Sequence, residues 1–145
     1  MLRIEVNSLI GTALDWAVAK YENLPVKKDP MGFITGSESG YWVWDQGNGK
    51  KPVFMLVGRE YSPSTIWELG GPVLEKLRER SNDQFWIESD GSNVHVMSWV
   101  SEHQCFTGYG PTLLVAAMRC FVAVHAGSEI DVPESLAPPV GVGQP

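Results

Sequence analysis

The chain has 145 residues, 43% of them hydrophobic and 19% charged. That size and balance fit one packed domain that needs neither a disulfide nor a structural metal. The net charge of −6, with only 11 Lys and Arg, argues against a general nucleic-acid binder, because phosphate-backbone affinity comes from clustered cations that displace counterions. The cations come in small groups (Lys27-Lys28, Lys50-Lys51, and Lys76, Arg78 and Arg80), which still leaves room for one small anion at a local donor set. The N-terminal segment lacks the apolar region of a signal peptide. The most apolar stretch, from Leu113 to Ala126, is too short for a bilayer and contains Arg119. A cytoplasmic protein with no membrane partner is expected, and the two cysteines, Cys105 and Cys120, suit a reducing compartment.

In chain order, Ile10, Ala13, Leu14, Ala17, Val18 and Tyr21 repeat at helical spacing and predict a first helix, stopped by Asn23 and Pro25. Val26 to Gly32 reads as a polar connection. Tyr41-Trp42-Val43-Trp44 and Pro52 to Val57 predict a hairpin across the Gly- and Asn-rich turn from Asp45 to Lys50. Tyr61-Ser62-Pro63-Ser64-Thr65 reads as a loop, and a short helix is expected from Gly71-Pro72, with proline in its first position. Phe85-Trp86-Ile87 and Val94 to Val100 predict a second hairpin, and Pro111 to Ala126 a final helix stopped by Gly127. The expected class is α+β: an antiparallel sheet of about four to six strands, with two main helices and one short helix packed on one face. Residues 1–130 are expected to form the domain and 131–145 a flexible tail.

Three stretches, taken in order, carry a resemblance. They are Leu14-Asp15-Trp16-Ala17-Val18-Ala19; Tyr61-Ser62-Pro63-Ser64-Thr65 followed by Gly70-Gly71-Pro72; and Gly110-Pro111-Thr112 with Ala116-Ala117-Met118-Arg119-Cys120. Together they resemble the NinX-like family of bacteriophage proteins. The resemblance implies an accessory phage product acting in the infected cell's cytoplasm, and it supplies no activity.

Candidate chemistry therefore rests on the residues. Arg119 lies in a helix apolar on nearly every side, and a buried guanidinium needs a partner. That partner is either a carboxylate, with Asp15 the best placed, or a ligand anion. Gly70-Gly71-Pro72 and Tyr109-Gly110-Pro111-Thr112 each read as the opening of a helix, where free amides attract anions. Hydroxyls (Ser62, Ser64, Thr65, Thr112) and aromatic rings (Tyr61, Trp67, Tyr109) lie beside these turns. Six tryptophans offer stacking faces, although core packing is their commoner role. His95, His103, His125, Cys105 and Cys120 show no metal-ligand spacing, and no nucleophile elbow or phosphate loop occurs. Neither a cofactor nor catalysis is expected.

The reading these features favour is a protein that binds and sequesters a small anionic, nucleotide-like signalling molecule made by host defence, through Tyr61, Ser62, Ser64, Thr65, Trp67, Gly70, Gly71, Tyr109, Gly110, Thr112 and Arg119. The alternatives are a protein-interaction module that inhibits a host enzyme through Tyr41 or Trp42, and an enzyme acting on a nucleotide or small polar metabolite. Self-association, most simply as a symmetric dimer, is also expected from the aromatic content.

Overall fold

The computed structural model describes residues 1–29, 31–33, 36, 40–45, 53–81 and 84–136. Among these, the elements run β1 (Leu2–Glu5), α1 (Gly11–Tyr21), β2 (Val26–Lys28), β3 (Tyr41–Asp45), β4 (Val53–Leu56), α2 (Trp67–Arg80), β5 (Phe85–Ser89), β6 (Val94–Ser101), β7 (Gln104–Gly110), α3 (Leu113–Ala126) and β8 (Glu129–Val132). Every strand pair is antiparallel, and the class is α+β. The strands do not form one sheet, however. They divide into three, ordered β1-β8, β2-β3-β4 and β5-β6-β7.

Helix α3 is the organising element. Its run from Leu114 to Ala123 is buried at every position except Val115. It packs on β6 and β7 on one side and on α1 and α2 on others, which explains why its sequence is apolar all round. The Thr112 hydroxyl caps it, accepting from the Val115 amide at 3.2 Å. Gly127 ends it at φ +89°, a conformation that favours glycine. Helix α1 is buried continuously from Ala13 to Ala19, so the apolar stripe read from its sequence understates its burial. Asn23, at φ +60°, turns the chain out of it.

The two hairpins form where the alternating patterns place them. Trp42 faces Leu56 and Trp44 faces Phe54 across β3–β4, while Phe85 faces Ser98 across β5–β6. The turn between β3 and β4 lies outside the described residues. On the β3–β4 face that carries Trp42 and Trp44, the Phe54 ring meets Trp42 edge-on at 4.8 Å and stacks on Trp44 at 6.0 Å. Val43 turns to the opposite face and is fully buried.

Several elements differ from the sequence reading. Helix α2 begins at Trp67, four residues before Gly71-Pro72, so Pro72 lies inside it. Its missing N–H leaves the Glu68 carbonyl without a helical donor; both residues are exposed, so water can serve that carbonyl. The supposed polar connection begins with β2, a short edge strand whose Lys27 and Lys28 are exposed. Strand β7 returns from β6 after a tight turn at Glu102-His103. Its two glycines mask its strand character, and Gly108 shows why glycine is there: a Cβ would lie 2.2 Å from the Ala116 oxygen and the Cys120 nitrogen of α3. Finally, Asp131 and Val132, assigned to a flexible tail, belong to β8, which pairs with β1. Ile130 and Val132 of that strand are core residues, 3% and 0% exposed. Residues 137–145 lie outside the described part.

Candidate functional site

The start of α2 and the start of α3 lie side by side, and between them is a notch of about 340 Å³ lined by Ser64, Thr65, Trp67, Thr112, Leu113, Leu114 and Val115. Its volume falls within the range of small-ligand sites. Four of the eleven candidate residues therefore converge on one concave surface from segments almost fifty positions apart. Trp67 is 56% exposed, so one aromatic face is available beside the notch. Thr65 and Thr112 are exposed as well. Both helix starts carry amides with no acceptor inside their own helix, the general origin of anion affinity at such ends.

A buried polar network holds the α2 side of this notch. Asp15, fully buried on α1, accepts hydrogen bonds from the Ser62 hydroxyl and the Ser64 amide, each at 2.9 Å. Burial pushes its carboxyl above the usual aspartate value, and the hydrogen bonds from Ser64 and Ser62 pull the other way. The Ser62 and Thr65 hydroxyls are 2.6 Å apart. Ser62 has one hydroxyl proton. When ionised Asp15 takes it, Thr65 must be the donor to Ser62, and the Thr65 oxygen is left as an acceptor toward the notch. A neutral Asp15 can run the chain in reverse, leaving Thr65 a donor. Tyr61, at the head of the same loop, is buried at 4% exposure, and burial with the Glu22 and Asp15 carboxylates raises its phenol above the ordinary range. Tyr61 and Ser62 thus build the loop from behind.

The glycines divide in the same way. A Cβ at Gly70 would meet the Pro63 oxygen at 2.2 Å and a Leu114 methyl at 2.7 Å, whereas one at Gly71 meets only the Trp67 ring at 3.7 Å. Gly70 lets α2, the 61–65 loop and α3 come together. Its amide donates to the Ile66 carbonyl at 2.9 Å within the first turn of α2, so the anion-attracting corner expected there is a closed helical turn. Gly110 is similarly confined, a Cβ there lying 2.8 Å from Val115 and 3.0 Å from the Arg119 guanidinium.

Arg119 is 9% exposed, and its partners are main-chain carbonyls. Nε donates to Leu9 at 2.8 Å and Nη1 to Tyr109 at 2.6 Å. Among the described residues no ion pair joins Arg119 to Asp15; each finds its hydrogen-bond partners elsewhere. Burial lowers the Arg119 pKa from the usual arginine value, with Tyr109 opposing the shift. The guanidinium ties α3 to β7 and to the segment entering α1, at a distance in sequence of 110 residues for Leu9.

Tyr109 lies away from the notch. It is 44% exposed, tilts against His95 at 5.7 Å, and lines a separate hollow of about 550 Å³ with Glu5, Asn7, Cys105 and Glu129 among others. Sequence spacing gives no pointer to that hollow, because β1 and β8 are four residues each and pair only across most of the chain. Burial pushes the Cys120 thiol up to about 12, as expected for an unreactive core cysteine. Among the described residues no three His, Cys, Asp or Glu side chains cluster to hold a metal ion, and no helix is long and apolar enough to cross a membrane.

Fold and site together define a small α+β domain with a ligand-sized notch between two helix starts. Residues 5–125 match the family model described as Bacteriophage P22, NinX, and the chain belongs to that family. Membership places it among phage accessory proteins. Comparison with curated proteins gives no match.

Proposed function

We propose that this phage accessory protein acts by binding, without catalysis, and that its ligand is a small nucleotide-like signalling molecule held in the notch between α2 and α3. The observation that carries the proposal is the convergence of Thr65, Trp67 and Thr112 on one open surface beside two helix starts. An exposed indole can stack on a nucleobase without a strong positive field, which suits a chain of net charge −6. The two hydroxyls and the helix-start amides would serve the polar and anionic parts of the ligand. Arg119 supports the site by fixing β7 against α3, and Gly70 and Gly110 by allowing close approach. Sequestration of a defence signal in the host cytoplasm is the biological role that fits tight binding without turnover.

Calorimetric titration with a panel of cyclic and ADP-ribose-derived nucleotides tests this reading. One panel member should give saturating heat at one ligand per chain. Trp67→Ala should then weaken it at least about tenfold, the scale of a lost base–aromatic stack. Absence of heat across the panel, or an unchanged affinity in Trp67→Ala, overturns the proposal. The protein-interaction alternative through Tyr41 and Trp42 has less support, since Trp42 is 7% exposed and packs on Phe54. The enzymatic alternative would be established by product formation from any panel compound.

A further inference from the structure

The β5-β6-β7 sheet has two edges, and they are finished differently. At the β7 edge the Asn7 side chain stands in for a neighbouring strand: its Nδ2 donates to the Thr107 carbonyl and its Oδ1 accepts from the Tyr109 amide, each at 3.1 Å. The edge strand β2 of the neighbouring sheet carries two exposed lysines, a common guard against edge pairing. β5 has neither device. It contains no Pro, Gly or Lys, its one charged side chain is the exposed Glu88, it pairs only with β6 among the described residues, and Trp86 and Ile87 are 54% and 48% exposed.

The direction of its unpaired groups follows from the register. The Trp99 amide donates to the Gln84 carbonyl at 3.0 Å, and at the far end of the hairpin the Asp90 amide donates to Asn93 at 3.1 Å. Antiparallel pairs alternate between hydrogen-bonded and open. Gln84, Trp86, Glu88 and Asp90 therefore direct their main-chain groups to β6, and Phe85, Ile87 and Ser89 direct theirs outward, to the bare edge.

We propose that β5 pairs with β5 of a second copy of this chain, antiparallel about a two-fold axis through Ile87, giving a continuous six-stranded sheet. In that register the outward-facing residues meet one another: Phe85 opposite the partner's Ser89, Ile87 opposite the partner's Ile87, and Ser89 opposite the partner's Phe85. All three pairs are hydrogen-bonded. The half-exposed Ile87 side chains cover each other, and Glu88 falls opposite the partner's Trp86, so no two like charges face directly. Centring the axis on Glu88 would set two carboxylates against each other, and an axis between residues would match outward groups with inward ones. Ile87 is also the midpoint of the strand, so this register overlaps all of β5.

Sedimentation velocity and oxidative cross-linking test the proposal. The wild type should show a reversible species at twice the 16.0 kDa chain mass. Ile87→Lys should shift it to monomer while its far-ultraviolet circular dichroism and thermal melt stay those of a folded chain. In a Cys105→Ser background, Ile87→Cys should give a covalent dimer on mild oxidation, and Glu88→Cys, which faces the partner's Trp86, much less. A wild type that stays monomeric at high micromolar concentration overturns the proposal. So does a folded Ile87→Lys that remains dimeric, or a Glu88→Cys variant that cross-links as readily as Ile87→Cys.

Discussion

At the scale of single residues, Asp15 carries the sharpest consequence. It is buried and its pKa is raised by that burial, so the folded state holds its proton more tightly than the unfolded chain does. Between the ordinary value of 3.8 and the raised one, the unfolded state releases the proton first, and stability falls as pH rises through that window. Asn at this position keeps an oxygen for the Ser64 amide and has no charge to desolvate. The stability of the wild type relative to Asp15→Asn should therefore decline from about pH 4 upward, as read by urea denaturation at several pH values; a difference that does not change with pH would contradict the burial argument. Gly70 and Gly71 make a second, paired prediction. Gly70→Ala must displace the Pro63 carbonyl or Leu114 and should cost about 1–3 kcal/mol or more. Gly71→Ala meets only the Trp67 ring, at an ordinary van der Waals distance of 3.7 Å, and should gain about 0.5–1 kcal/mol from helix propensity. Sequence alone makes these neighbours look alike; only the packing of α2 on the 61–65 loop separates them.

At the scale of elements, the predictions concern what fastens α3 and β8. Arg119→Met leaves the buried Leu9 carbonyl and the part-buried Tyr109 carbonyl without their donor, and a buried unpaired carbonyl costs about 1–3 kcal/mol. The variant should lose at least about 2 kcal/mol in chemical denaturation, and a near-neutral result would show that water replaces the guanidinium. Val132→Ala should cost about 2 kcal/mol through lost burial and a cavity, a loss that a mobile tail would not register. These two cases mark where the sequence was legible and where it was not. Long, strongly patterned elements (α1, α3 and both hairpins) declared themselves through periodicity. Strands β1, β2 and β8 have three or four residues each, too few for alternation to stand out, and their partners are remote: β1 meets β8 across most of the chain. β7 was obscured by glycines that its contact with α3 requires. The start of α2 is not legible because proline marks a first turn more often than an interior one, whereas Pro72 lies inside this helix. Of the candidate site, Thr65 and Thr112 were legible as hydroxyls, and Trp67 as a ring, near the two glycine-proline turns. The division of labour between Arg119 and Asp15 was not, because which buried charge meets which partner is decided by long-range packing and leaves no local pattern.

At the scale of the whole molecule, the chain is a helical core of α3, α1 and α2 bordered by three small sheets, with the notch and the bare β5 edge on different elements. The proposed ligand site uses the starts of α2 and α3, and the proposed dimer uses β5, so the two functions should be separable: Ile87→Lys should leave nucleotide binding within about twofold of wild type, since Ile87 is not among the residues lining the notch. The central claim is that this phage protein carries a small ligand on Trp67. It is tested most directly by purifying the protein from phage-infected cells, unfolding it with heat, and identifying by mass spectrometry what is released. The account predicts a nucleotide-like molecule in near-stoichiometric amount from the wild type and little from Trp67→Ala. Equal release from both, or none from folded wild-type protein taken from cells with an active nucleotide-based defence, would contradict it.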